Sequence, residues 1–181
     1  MMDLSFLGPR VCVIGPSSSG KSTLAVALGK RLGLPVVHLD QWAHEPGTNW
    51  NRRPDDVWVK DHDALIQEPA WILEGNYSVC MPQRFRRATA VLWTDLPVTG
   101  CLIRYLKRSF RRSPQVRPGN LEGASREVSL SLIRYLLVQY PHNRLRYERL
   151  LAEAARPDLH VLRLHSWEAL MTWQRQQRLI G

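Results

Sequence analysis

Cysteine is scarce in this chain, acidic charge is outweighed by basic, and both facts narrow the reading. Cys12, Cys80 and Cys101 are widely spaced and odd in number, which excludes a neat disulfide framework and leaves no Cys-x-x-Cys metal spacing. The six histidines form no His-Glu-x-x-His or other helical ligand pair, so a metal is expected only in the company of a ligand. No apolar run approaches the ~20 residues that a membrane span requires. The first residues lack the basic leader of a signal peptide, and a cytoplasmic protein of one domain, 1–181, is expected. Also missing are the Asn-Lys-x-Asp that reads guanine and an apolar strand ending in Asp-Glu, as large ATPase machines carry. Internal repeats and low-complexity tracts are absent too.

What is present has the balance of a folded globular domain, 44% hydrophobic and 23% charged. Lysine and arginine number 25 against 16 acids, a net charge of +9. Most of these cations are arginines, whose planar fork suits bidentate phosphate contacts. Such a balance fits a polyphosphate ligand or a nucleic acid.

Hydrophobic periodicity divides the chain. The continuous apolar run Arg10 to Gly15 predicts a strand buried on both faces, with Cys12 packed in the core. Leu24, Leu28 and Leu32 repeat at helical spacing over Lys21 to Leu32, and Gly33 closes that helix. Leu34 to Leu39 predicts a second strand, so the first third is a βαβ unit with a right-handed crossover. Gln41 to Arg53 predicts a loop, and Pro54 to about Gln67 a helix. Strands are expected at Ala70 to Glu74, Ala88 to Thr94 and Leu159 to Leu164. A helix from Pro97 carries the stripe Val98, Leu102, Ile103, Leu106 and Phe110, and a flexible loop follows over Ser113 to Gly123. Two helices, roughly Ser125 to Tyr140 and Asn143 to Ala155, come next, and Ser166 is placed to cap a last helix from Trp167. Alternating strands and helices give a three-layer α/β domain.

Gly15 to Ser22 reads Gly-Pro-Ser-Ser-Ser-Gly-Lys-Ser and satisfies every fixed position of the phosphate-binding P-loop, or Walker A segment. It follows a strand and opens a helix, the context that gives the pattern its chemistry. Its glycines let the backbone curl until several N–H groups point at phosphate oxygens, and the helix dipole adds positive potential. Gly15, Ser17, Ser18, Ser19, Gly20, Lys21, Ser22 and Thr23 are therefore the expected nucleotide-binding residues. Lys21 would bridge the β- and γ-phosphates, and the Ser22 hydroxyl would hold Mg²⁺. Further along stand acidic strand ends: Leu39-Asp40, Leu73-Glu74-Gly75-Asn76-Tyr77 and Thr94-Asp95-Leu96-Pro97.

Taken in order, the P-loop, Leu34 to Asp40, Trp50, Trp71 to Tyr77, Arg84, Thr94 to Pro97 and an arginine-rich helix resemble the adenylate-kinase-like P-loop kinases. They look most like the branch known as DNA topology modulation proteins, over most of the chain to about Gly119. The resemblance implies a five-stranded parallel sheet in the order 2-3-1-4-5, with ATP and Mg²⁺ as cofactors. It implies a substrate-binding insertion over 41–69 and a lid over 104–123. Glu74 would orient Mg²⁺, and Asp40 would orient or deprotonate the acceptor hydroxyl, with Tyr77 and Arg84 beside them. Arg104 and Arg108 would supply catalytic positive charge from the lid side, where Arg111, Arg112 and Arg117 follow, and Ser166 would touch the adenine. Departures from adenylate kinase proper are Ser18 and Ser19 in the loop, and Asp40-Gln41-Trp42, which is similar to small-molecule kinases of the shikimate type. The expected activity is transfer of the γ-phosphate of ATP to a nucleotide or small hydroxylated metabolite. The alternative is a nucleic-acid-associated ATP-binding protein. A monomer or homodimer without a membrane partner is expected.

Several residues have two readings at this stage. Arg52 and Arg53 suit either acceptor clamps or solvent. Trp42, Trp50 and Trp58 suit an aromatic wall for a ring or a satellite core, the latter fitting Trp58 on its apolar helix face. His38 and His44 flank Asp40 with no assigned role.

Overall fold

The computed structural model describes residues 4–110, 118–121 and 128–180. Five parallel strands form one sheet: β1 (Arg10–Ile14), β2 (Val36–His38), β3 (Trp71–Glu74), β4 (Ala90–Trp93) and β5 (His160–Arg163). Their order is β2-β3-β1-β4-β5, as the resemblance implies, and the phosphate-loop strand lies at the centre. Register aligns Val13 with Glu74, and His38 with Glu74 on the other side. The carboxyl ends of β1, β2 and β3 therefore finish side by side, the edge where open α/β sheets place ligands.

The helices are α1 (Lys21–Leu32), α2 (Leu39–Ala43), α3 (Asp55–Leu65), α4 (Met81–Arg87), α5 (Val98–Phe110), α6 (Leu130–Arg134), α7 (Tyr140–Glu153) and α8 (Trp167–Gln176). Alternating residues of the strands sort the core into two layers. Val11, Val13, Ile72, Ala90 and Leu92 pack with Leu24 and Leu28 of α1, Cys101 of α5 and Leu170 of α8. Cys12, Ile14, Leu73, Val91 and Trp93 pack on the opposite face with Phe85 of α4 and Tyr140, Tyr147 and Leu151 of α7. Both faces of the three central strands β3, β1 and β4 are thus covered, which explains why they read as nearly continuous apolar runs.

Four local readings change. The second strand stops at His38, and Leu39-Asp40 begins a short helix, α2, where a strand end and loop were expected. Leu39 drives this, since its fully buried side chain turns the chain into the core. Pro54 caps α3 from outside instead of opening it. Helix α4 was not expected at all, because seven residues containing Pro82 and three arginines show no readable apolar period.

The fourth change is the largest. Two helices divided near residues 140–143 were expected, but helix runs unbroken from Leu130 to Glu153 through a π-helical turn at Tyr135–Gln139. Pro141 explains it: a proline cannot donate the interior hydrogen bond of a regular α-helix. The wider turn accommodates that loss, and the Tyr140 N–H donates to the Tyr135 carbonyl five residues back. The expected start at Ser125 lies outside the described residues, as do Arg111, Arg112 and Arg117.

Candidate active site

The loop after β1 is shaped by backbone that few residues tolerate. Gly15 has φ 150°, Gly20 φ 90° and Ser18 φ 65°. A Cβ on Gly15 would meet Thr94 Oγ1 at 2.1 Å, so only glycine fits there. Ser19 is fully buried, and its hydroxyl is hydrogen-bonded to Thr94 Oγ1 at 2.8 Å, anchoring the loop to the strand end beside it. Gly20 caps α1 with no side-chain hydrogen bond, so its first N–H groups are left for a ligand. Ser18 Oγ is buried without a hydrogen-bond partner. Ser17 and Ser22 are half-buried and Thr23 is exposed on the first turn of α1.

Lys21 and Glu74 face each other, Nζ to Oε1 at 3.4 Å, both largely shielded from water. Burial works against the charge on Lys21, but Glu74 and Asp40 outweigh it and raise its pKa. Burial likewise opposes the Glu74 carboxylate, while Lys21, His38 and the Ser22 hydroxyl together hold its pKa below the ordinary value. His38 Nδ1 lies 2.8 Å from Glu74 Oε2, whereas Glu74 Oε1 has no hydrogen bond.

Beside this pair stands a second carboxylate. The Tyr77 hydroxyl donates to Asp40 Oδ1 at 2.7 Å. Burial first, then Asp40, pushes the Tyr77 pKa far up, so the phenol keeps its proton. Tyr77 has φ 35°, a conformation that non-glycine residues adopt only where surroundings enforce it. Asp40 from below and the Trp58 ring at 5.0 Å supply that enforcement. Trp58 is fully buried with Ala43 and Cys80, a satellite core under the site rather than a wall of it. Trp42 and Trp50 are more than a third exposed, and Trp50 meets the His44 ring edge-on at 5.2 Å.

The Gly-Asn-Tyr turn after β3 carries a residue that the sequence reading quoted but did not place in the site. Asn76 Oδ1 accepts from the Gly15 N–H at 3.0 Å, and its Nδ2 donates to the Gly15 carbonyl at 2.9 Å and to the Tyr135 hydroxyl at 3.1 Å. His38 also belongs to the site, because the parallel β2–β3 pairing puts it opposite Glu74.

The arginines are distributed differently. Arg84 was expected to touch the acceptor, yet it is fully buried, donating to the carbonyls of Gly75 at 3.2 Å and Asn76 at 2.5 Å. It holds the turn that carries Asn76 and Tyr77 from behind. Arg53 is paired with Asp61 at 2.6 Å, and Arg52 with Asp55 at 2.8 Å while lying over the Tyr77 ring at 5.9 Å. Arg104 lies over the Trp167 ring at 4.1 Å, and Arg108 over the Tyr105 ring at 5.6 Å. Ser166 caps α8, accepting from the Ala169 N–H at 3.0 Å. Of the segment expected as a lid, Gly119 abuts His38 and Glu74, and the Asn120 carbonyl accepts from Gln41 at 3.0 Å.

Lys21, Ser22, Glu74, Asp40 and Tyr77 are thus brought together, and Arg84 supports them without facing them. Oxygen donors of this hardness fit Mg²⁺: the Glu74 oxygen without a hydrogen bond and the Ser22 hydroxyl lie at the phosphate loop. Among the described residues, no group of three or more His, Cys, Asp or Glu is placed to hold a metal by itself.

No family model matches this chain, and no curated protein matches it either. Solved structures do. A shikimate kinase from Acinetobacter baumannii, in complex with shikimate, is 18% identical, with 97% of this chain and 94% of that chain covered and a TM-score of 0.50. A sugar kinase from a Janibacter species is 20% identical over 87% of this chain and 84% of that one, with a TM-score of 0.46. A gluconokinase from Sinorhizobium meliloti is 15% identical over 95% of each chain, with a TM-score of 0.48. What this chain shares with the first of these is the fold, which here is a five-stranded parallel sheet ordered β2-β3-β1-β4-β5 with helices on both faces. No helix among the described residues is long and apolar enough to cross a membrane.

Proposed function

We propose that this chain transfers the γ-phosphate of ATP to a hydroxyl of a small acceptor. One observation carries the reading: the Asp40–Tyr77 pair stands beside Lys21 at the edge where the phosphate loop ends. The loop N–H groups and Lys21 would bind the phosphates, and Mg²⁺ at Ser22 and Glu74 would neutralise their charge. Tyr77 occupies Asp40 Oδ1, which leaves Oδ2 for the acceptor. Asp40 takes the proton of the attacking hydroxyl as its oxygen bonds to phosphorus and ADP departs. Arg104 and Arg108, on the helix leading into the lid, are assigned the positive charge on the far side, and Ser166 the adenine. Segment 41–69 is assigned the acceptor. Its nature as a small hydroxylated metabolite is supported by the kinases that share the fold. The order of motifs supports affiliation with the branch of DNA topology modulation proteins.

The test is a coupled ATP-consumption screen against nucleoside monophosphates, nucleosides, sugars and cyclitol acids. Strong stimulation by one class is expected. Stimulation by duplex DNA alone would favour the nucleic-acid alternative and sink the transferase reading.

A further inference from the structure

We propose that Tyr135 is a further residue of the nucleotide site, its hydroxyl donating to the phosphate chain held by Gly15 to Ser22. This rests on the reading of that loop as a nucleotide site. The amide of Asn76 has only one orientation, because Gly15 offers it an obligate donor on one side and an obligate acceptor on the other. Nδ2 is therefore the atom facing Tyr135, and the phenol oxygen accepts from it. The same nitrogen lies 2.9 Å from the Gly15 carbonyl and 3.1 Å from the Tyr135 oxygen, so the phenol sits two hydrogen bonds from the start of the phosphate loop.

Tyr147 is the other neighbour of this hydroxyl, and burial first, then Tyr135, pushes its pKa up, so it stays a neutral phenol. A hydroxyl hydrogen rotates to suit its partners, so with Asn76 donating to its oxygen Tyr135 keeps a proton to give to a ligand. Tyr135 is half-buried and close enough to Lys21 to bear on its charge, on the same side of the site as the phosphate loop. An anion is the ligand that a free O–H beside a lysine ammonium recognises.

The experiment measures binding of MgATP and of magnesium tripolyphosphate, by calorimetry, to the full chain and to Tyr135→Phe, Asn76→Ala and the double variant. Tyr135→Phe should weaken both ligands about tenfold, the size of one hydrogen bond to a charged group. The double variant should lose no more than Asn76→Ala alone, because Asn76 orients the hydroxyl, and Tyr135→Phe should still unfold in one cooperative transition above the assay temperature, so that lost affinity is not lost fold. Equal affinity of wild type and Tyr135→Phe overturns the proposal, and so does a loss confined to MgATP, which would place the contact on the base or ribose. If the wild type binds neither ligand, the nucleotide reading itself falls and takes this one with it. Normal binding by the wild type with an unaffected Tyr135→Phe fells this proposal alone.

Discussion

At Lys21 two influences oppose each other: burial disfavours the ammonium, and the carboxylates of Glu74 and Asp40 favour it. The ammonium survives, so a fixed positive charge waits where phosphate charge would develop, the arrangement by which phosphoryl transfer is mostly catalysed. Lys21→Ala is expected to abolish ATP-dependent transfer in the coupled assay, and normal turnover in that variant would remove the mechanism. Asp40→Asn should lower kcat by about 100-fold or more, the usual worth of a positioned base, while leaving MgATP affinity within about threefold. A parallel loss of affinity would move Asp40 to the nucleotide side. The place of the loop Gly15 to Ser22, between β1 and the start of α1, was legible because its glycines recur at a fixed spacing. Asp40 was legible as a carboxylate near a strand end, although the backbone there has already turned into α2. His38 was not, since its partner Glu74 is distant in sequence and only strand register joins them.

Among the elements, the turn from β3 into α4 shows how a positioning role can be mistaken for a binding one. In sequence, an arginine a few residues beyond Gly-Asn-Tyr suggests an anion clamp, and no periodicity marks the seven-residue helix that buries it. In the structure Arg84 is fully buried, and its guanidinium holds the carbonyls of Gly75 and Asn76. Burial lowers its pKa, with no carboxylate among its hydrogen-bond partners to offset the cost. Arg84→Ala is expected to destabilise the fold by about 3 kcal/mol, two charge-assisted hydrogen bonds being lost while the carbonyls stay buried. Urea unfolding measures this. An acceptor clamp would instead raise the acceptor KM at unchanged stability, so the two roles separate cleanly. The helix over 130–153 gives the complementary lesson: its existence was legible from composition, but its continuity was not. Pro141 reads as a break in one dimension, whereas a π-turn absorbs it in three.

The whole molecule is a sheet whose strand order was implied by resemblance and whose two-sided burial was implied by unbroken apolar strands. Its response to acid depends on a group that no motif marks. His62 of α3 is fully buried, and burial first, then the Arg84 guanidinium, lowers its pKa from 6.5 to about 4. The native state therefore keeps His62 neutral over a range in which the unfolded chain protonates it. Between about pH 6.5 and pH 4 the unfolded state binds the extra proton, so stability is full above that window and falls through it as the pH drops. The shift corresponds to an upper bound of about 3 kcal/mol at the bottom of the window. Glu74 adds to the loss further down, because its pKa is also depressed and its stabilisation disappears as pH falls through the folded value. Unfolding free energies measured from pH 7.5 to 4 should decline in wild type, and in His62→Phe the decline above pH 5 should largely vanish. A wild-type profile flat from pH 6.5 to 5 would show that His62 and Arg84 do not share a water-free interior. The loss would also reach the site, since Arg84 is the group that protonated His62 repels and the same group fixes the turn bearing Asn76 and Tyr77.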